Sequence, residues 1–160
     1  MHDDLFLPDE LDYRNDYHGN EETFLKAAYD IFHDDLVAKT VRFQEKSVLL
    51  DSKIGEGDKL SIFWHIVTKD NDLAAKRCLN ISRAQKVPWI KPLLLAVPHP
   101  AIKHWRYVEG NGQIRHYVWA ESTNYVIIFE EKKTKLFLVS AFCVEPWKKR
   151  DLNKKYMKRL

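Results

Sequence analysis

The sequence predicts an α+β protein: an N-terminal helical part packed beside an antiparallel β-meander of four or more strands. Three observations predict it. Residues 113–144 are dominated by β-branched and aromatic residues, broken only by turn-type residues. Gly110-Asn111-Gly112 is a hairpin signal, because Gly and Asn tolerate the positive φ that tight hairpin turns need. Upstream, Phe24, Leu25, Ala28, Ile31, Phe32 and Leu36 recur at helical spacing.

Residues 1–19 are acidic, carry Pro8, Tyr13 and Tyr17, and show no period. They are expected to form an extended or loosely docked arm. Asn20 caps a helix predicted over Glu21–Lys39, with Glu21 and Glu22 in its first turn. Thr40–Asp51 turns to strand chemistry, and Gly55-Glu56-Gly57-Asp58 makes the next turn. Leu60–Lys69 is expected to be a second strand, and Asp72–Lys86 a helix bearing Arg77, Arg83 and Lys86. Pro88 and Pro92 make Val87–Pro92 an interrupted connector. Leu93–Val97 is a short apolar strand or helical turn.

The meander follows, at His104–Glu109, Gln113–Glu121, Asn124–Glu131 and Lys135–Val144. Alternation sets Arg115, Tyr117 and Trp119 on one face, and Ile114, His116 and Val118 on the other. The last strand is apolar on both faces, so it is expected to be central and covered on both sides. Ser140 is its single hydroxyl. The tail, Trp147–Leu160, has seven Lys/Arg against one acid and reads as a basic helix or arm. The expected organisation is an arm over 1–19, one domain over 20–145 and a basic tail over 146–160.

At 160 residues, with 45% hydrophobic and 31% charged residues, the chain suits a single core. Cys78 and Cys143 lie far apart without metal-type spacing, as expected of reduced thiols in a cytoplasmic protein. The acidic start does not read as a signal peptide, and no apolar run is long enough for a bilayer, so no membrane association is expected. Residues 1–35 hold eleven Asp/Glu and two Lys/Arg, a formal −9, against +12 for residues 36–160. A body of that charge suits a polyanion, nucleic acid being the common one; solvated surface lysine is the alternative.

The motifs narrow the chemistry. Neither GxGxxG nor GxxxxGK occurs among the five glycines, which argues against nucleotide cofactors. HxxxH, HExxH and G-x-S-x-G are missing too, which argues against a zinc site or a serine hydrolase; no metal or cofactor is expected. His65, inside Phe63-Trp64-His65-Ile66, is either a structural histidine or a general base or acid. Arg77, Arg83 and Lys86, with Trp89 and Lys91 beyond, combine cations with an aromatic ring, as a protein gripping phosphate and base would. Arg106 and Arg115 are expected to face each other across the hairpin, where an anion would relieve their repulsion. These pieces suit RNA cleavage without a metal, because RNA carries its own nucleophile in the 2′-hydroxyl. The protein then supplies a base, an acid and cations for the phosphorane.

Phe63-Trp64-His65-Ile66, the run RAQKVPWIKPLL at 83–94 and NYVIIFEEKKTKLFLVSAFCV at 124–144 together resemble the phage-associated branch of the barnase–EndoU–colicin–RelE nuclease superfamily. The resemblance covers roughly Leu60 to Val144. It implies a small α+β toxin ribonuclease acting on tRNA or mRNA, with an antitoxin or immunity protein as a second partner. On that resemblance His65 matches the family histidine, Arg83 and Lys91 the cationic element, and Ser140 the hydroxyl before a small–aromatic pair. Phe142 stands where a tyrosine is frequent.

The expected site therefore comprises His65 as base or acid, with His116 a weaker candidate for the other role because alternation sets it opposite Arg115, then Arg83, Lys91 and Arg115 around the phosphorane, and Ser140 positioning the phosphate. Arg77, Lys86, Trp89, Arg106 and Asn124 are the expected RNA contacts. A non-catalytic RNA-binding module with the same basic face is the alternative. A protein-binding domain using Trp105, Tyr107, Tyr117 and Trp119 is a third.

Overall fold

The computed structural model describes residues 5–69 and 78–160. Arg77 and the first part of the helix expected over Asp72–Lys86 lie outside the described residues; of the rest, Cys78–Leu79 is extended and only Ile81–Gln85 is helical.

The first helix, α1 (Glu21–Phe32), starts where Asn20 accepts a hydrogen bond from the Thr23 amide at 3.0 Å. Phe24, Ala28 and Phe32 form its buried stripe, and one π-helical turn, His33–Val37, extends it. Strands β1 (Val41–Phe43) and β2 (Lys46–Leu49) form a hairpin with Gln44 and Glu45 at positive φ. The stretch expected to be a second strand is instead helix α2 (Ser61–Val67). Phe63, Ile66 and Val67 are its buried residues, at i, i+3 and i+4. A short apolar run satisfies either period, and here the helical one won against the neighbouring helices. Only β3 (Thr68–Lys69) is extended, paired with β4 (Cys78–Leu79).

Helix α3 (Ile81–Gln85) is capped by Asn80. The proline-rich connector is also helical: Val87–Trp89 makes a 3-10 turn and α4 (Ile90–Ala96) follows. Pro92 sits in the first turn of α4, where amides lack an intrahelical acceptor anyway. Strands β5 (Ile102–Val108), β6 (Ile114–Ala120), β7 (Tyr125–Lys132) and β8 (Lys135–Cys143) form the expected antiparallel meander.

The sheet is larger than the meander and is mixed. Its order is β1-β2-β8-β7-β6-β5, with β2 parallel to β8 and every other pair antiparallel. Helices α1 to α4 cover one face, through Phe24, Phe63, Ile66 and Leu93 against Val118, Ile127 and Phe129. The basic tail forms α5 (Pro146–Met157) and covers the other face, with Leu152 buried among Trp105, Tyr117, Trp119 and Val126. Its Lys155 lies 3.0 Å from Glu109 and 2.9 Å from the Tyr117 hydroxyl. The sheet curls enough that Phe43 on one edge strand meets His104 on the other, with ring centroids 4.9 Å apart. The acidic arm lies against the helical layer, where Tyr13 and Tyr17 put ring edges on Phe24. No helix among the described residues is long and apolar enough to cross a membrane.

Candidate functional site

The sheet separates the residues that the sequence grouped into one catalytic site. His65 on α2 and Lys91 on α4 belong to the layer covering one face. Arg115 and Ser140 belong to the other face: Arg115 alternates with Tyr117 and Trp119, and Ser140 pairs with Ile128 beneath α5. Lys91 has Asp35 as an electrostatic neighbour. Arg83 donates to the Thr68 carbonyl at 2.8 Å and stands 5.5 Å over the Phe142 ring. The two hairpin arginines do not face each other. The turn centres on Asn111, so Arg106 pairs with His116 and Arg115 with Tyr107. A one-residue offset puts the two guanidinium groups on opposite faces.

The expected RNA contacts are dispersed as well. Lys86 is 3.1 Å from Glu10 of the arm, and the Trp89 indole donates to the Pro8 carbonyl at 2.8 Å. Asn124 takes the left-handed conformation at the β6–β7 turn, and its carbonyl accepts from Val144. It serves the chain reversal.

A different cluster forms where the sheet curls. Alternation sends Ile102, His104 and Arg106 of β5 to the same face as His116 of β6 and Glu131 of β7. His104 Nε2 lies 3.0 Å from His116 Nδ1, with the rings nearly parallel. On its other side, His116 Nε2 is 3.8 Å from Glu131. Glu131 accepts from Arg106 at 2.7 Å and from Lys46, which the β1–β2 hairpin delivers. Phe43 packs edge-on against both imidazoles.

The charges in this cluster follow from their surroundings. Burial alone would raise Glu131, but hydrogen bonds from Lys46 and Arg106 hold its carboxyl at about 2. Burial, then the adjacent His104, bring the His116 imidazole down to about 4 against the upward pull of Glu131; Arg106 and Lys46 add to the lowering. Burial, with Arg106 second, also lowers His104. Both rings are therefore neutral at pH 7. His116 Nε2 is buried without a hydrogen-bond partner, and the ionised Glu131 carboxylate 3.8 Å away favours a hydrogen on that nitrogen. His116 Nδ1 then accepts from His104 Nε2, and the unprotonated nitrogen of His104 is Nδ1.

His104 opens onto a cleft of about 570 Å³, lined also by Gln44, Ile102, His99 and the Val97–Pro100 segment. The Ala101 amide donates to His99 Nδ1 at 3.0 Å, which leaves Nε2 as that ring's other polar atom. The lining therefore brings together two imidazoles, of His104 and His99, and the Gln44 amide. Among the described residues, no cleft-lining side chain carries a hydroxyl or thiol.

Neither His99 nor His104 stands out in the sequence, and His116 is there only a weaker candidate because it lies opposite Arg115. The available signal was the alternation linking His104, Arg106, His116 and Glu131 to one face, once the hairpin centre is put at Asn111. Nothing local indicated Lys46 or Gln44, which join the cluster only through the curl of the sheet. No protein-family model, curated protein or solved structure matches this chain.

Proposed function

We propose that this protein is a metal-independent endoribonuclease whose general base is His104. The observation that carries the reading is the line from Glu131 through His116 to His104, which ends in an open cleft. A base with no nucleophilic side chain beside it among the described residues suits a substrate that brings its own, and RNA does so in its 2′-hydroxyl. His104 Nδ1 takes the 2′-hydroxyl proton as the 2′-oxygen bonds to phosphorus. The bond from phosphorus to the 5′-oxygen breaks as that oxygen takes a proton from water in the open cleft, the proton removed from the 2′-hydroxyl staying on His104 until it passes to solvent. Gln44 hydrogen-bonds a phosphorane oxygen, while Arg106 and Lys46 keep the local potential positive. The products are a 2′,3′-cyclic phosphate and a 5′-hydroxyl.

The resemblance of residues 60–144 to the phage-associated nuclease branch agrees with this activity but points to His65 rather than His104. Under this reading the substrate is tRNA or mRNA, and an antitoxin or immunity protein would act by covering the cleft. The test is incubation with total RNA in EDTA. Cleavage by the wild type, lost in His104→Ala and kept in His65→Ala, supports the assignment. Intact RNA with folded wild-type protein sinks it.

A second reading, RNA binding without cleavage, is favoured by the cations and exposed tryptophan where β8 meets α5. It predicts retention of RNA with a steep salt dependence and no new 5′ ends.

A further inference from the structure

A second pocket, of about 160 Å³, lies where β8 runs into α5, and the mechanism above does not use it. Its walls combine three cations with two aromatic rings: Lys69, Arg83, Lys148, Phe142 and Trp147. Trp147 is the most exposed tryptophan among the described large hydrophobic residues, at 66%. Its ring is nevertheless held, because Nε1 donates to Glu145 at 2.6 Å. That carboxylate also pairs with Lys69 at 2.6 Å. Lys148 stands 5.8 Å from the centre of the Trp147 ring and 5.9 Å from that of Phe142. Among the described residues, the lining carries three positive charges against one negative.

An indole pinned at its nitrogen keeps its flat face presented to the pocket mouth. A flat face beside ammonium groups fits a nucleobase with its phosphate attached. We infer that this pocket holds one nucleotide of a single-stranded RNA, with its base stacked on Trp147 and its phosphate against Lys148 and Lys69. This deepens the ribonuclease reading by naming where the strand is gripped away from the cleft, and it rests on that reading for RNA as the source.

The experiment uses the full chain and a 2′-O-methyl hexaadenylate, which cannot be cleaved by 2′-hydroxyl attack, with binding followed by fluorescence anisotropy at low salt. Trp147→Ala is expected to weaken binding by about fivefold or more. Lys148→Glu is expected to weaken it and flatten its salt dependence. Ile54→Ala, at an exposed position outside both the cleft and this pocket, should bind like the wild type. Equal binding by the wild type, Trp147→Ala and Lys148→Glu overturns the pocket even if the wild type cleaves RNA. Binding that depends on Trp147, in a protein that cleaves nothing, keeps the pocket and removes the ribonuclease reading. Adenosine 5′-monophosphate binding as tightly as the hexamer overturns the assignment to a strand.

Discussion

His104 and His116 share a hydrogen bond of 3.0 Å between Nε2 and Nδ1, with their rings 14° from parallel. The two residues sit two positions from direct register on neighbouring strands, since His104 pairs with Val118 and His116 with Arg106. Such diagonal neighbours lie within reach of long or aromatic side chains. The contact ties the orientation of His104 to that of His116, whose other nitrogen lies 3.8 Å from Glu131.

If His104 abstracts the 2′-hydroxyl proton, His104→Ala lowers the rate of RNA cleavage by about 10²- to 10⁴-fold. His116→Phe removes the partner that orients it and should lower the rate without changing RNA affinity. Initial rates on a labelled oligoribonucleotide check both. Equal rates in wild type and His104→Ala would place the chemistry elsewhere.

Stability should fall in mild acid. The His116 ring titrates at about 4 when folded against 6.5 when unfolded, so the unfolded chain binds more protons between those values. The folded state is therefore fully favoured above about 6.5 and loses on the order of 3 kcal/mol as pH falls to about 4. His104, also lowered, acts in the same direction. Urea denaturation at several pH values measures this, and His116→Phe should show a smaller loss over the same range.

Glu131 anchors Lys46 and Arg106, so Glu131→Gln leaves two cations facing a neutral amide. The expected cost is about 1–3 kcal/mol at pH 7, kept modest because both cations reach solvent. The carboxylate's depressed pKa contributes stability above 4.5, which is lost as pH falls through about 2. The variant should therefore be less stable than wild type at pH 7, with the gap narrowing in strong acid. Thermal melts at pH 7 and pH 3 provide the comparison.

The arm places Glu10 on Lys86. Glu10→Lys removes that pairing and adds a cation, so RNA affinity should rise by up to about fivefold at low salt. Unchanged affinity in a salt titration would make the arm a packing element alone. Deleting the arm is a poorer test, because Leu7, Leu11, Tyr13 and Tyr17 pack against the core.

Leu152 is fully buried between α5 and the sheet. Leu152→Ala should destabilise the protein by about 2–5 kcal/mol in urea denaturation. A value near zero would mean that α5 is a detachable tail.

The amino-acid sequence by itself determined the α+β class, the capped first helix and the four-strand meander. Those features rest on local chemistry: an Asn cap, apolar residues at 3.6 and 2.0 spacing, and Gly and Asn where φ is positive. Local chemistry was silent where two periods fit equally, which is how Leu60–Lys69 came to be expected as a strand and folds as α2. It was also silent on position along a hairpin. Counting one residue off the Asn111 centre was enough to pair Arg106 with Arg115 instead of His116.

The tertiary structure alone decided which charged side chains meet. Placing β2 alongside β8 and curling the sheet brings Lys46 and Gln44 to residues sixty to eighty-five positions away, and it leaves a full sheet between His65 and Ser140. No spacing rule carries that information, because such meetings depend on strand order and sheet curvature, which arise from packing the whole chain around its two apolar clusters.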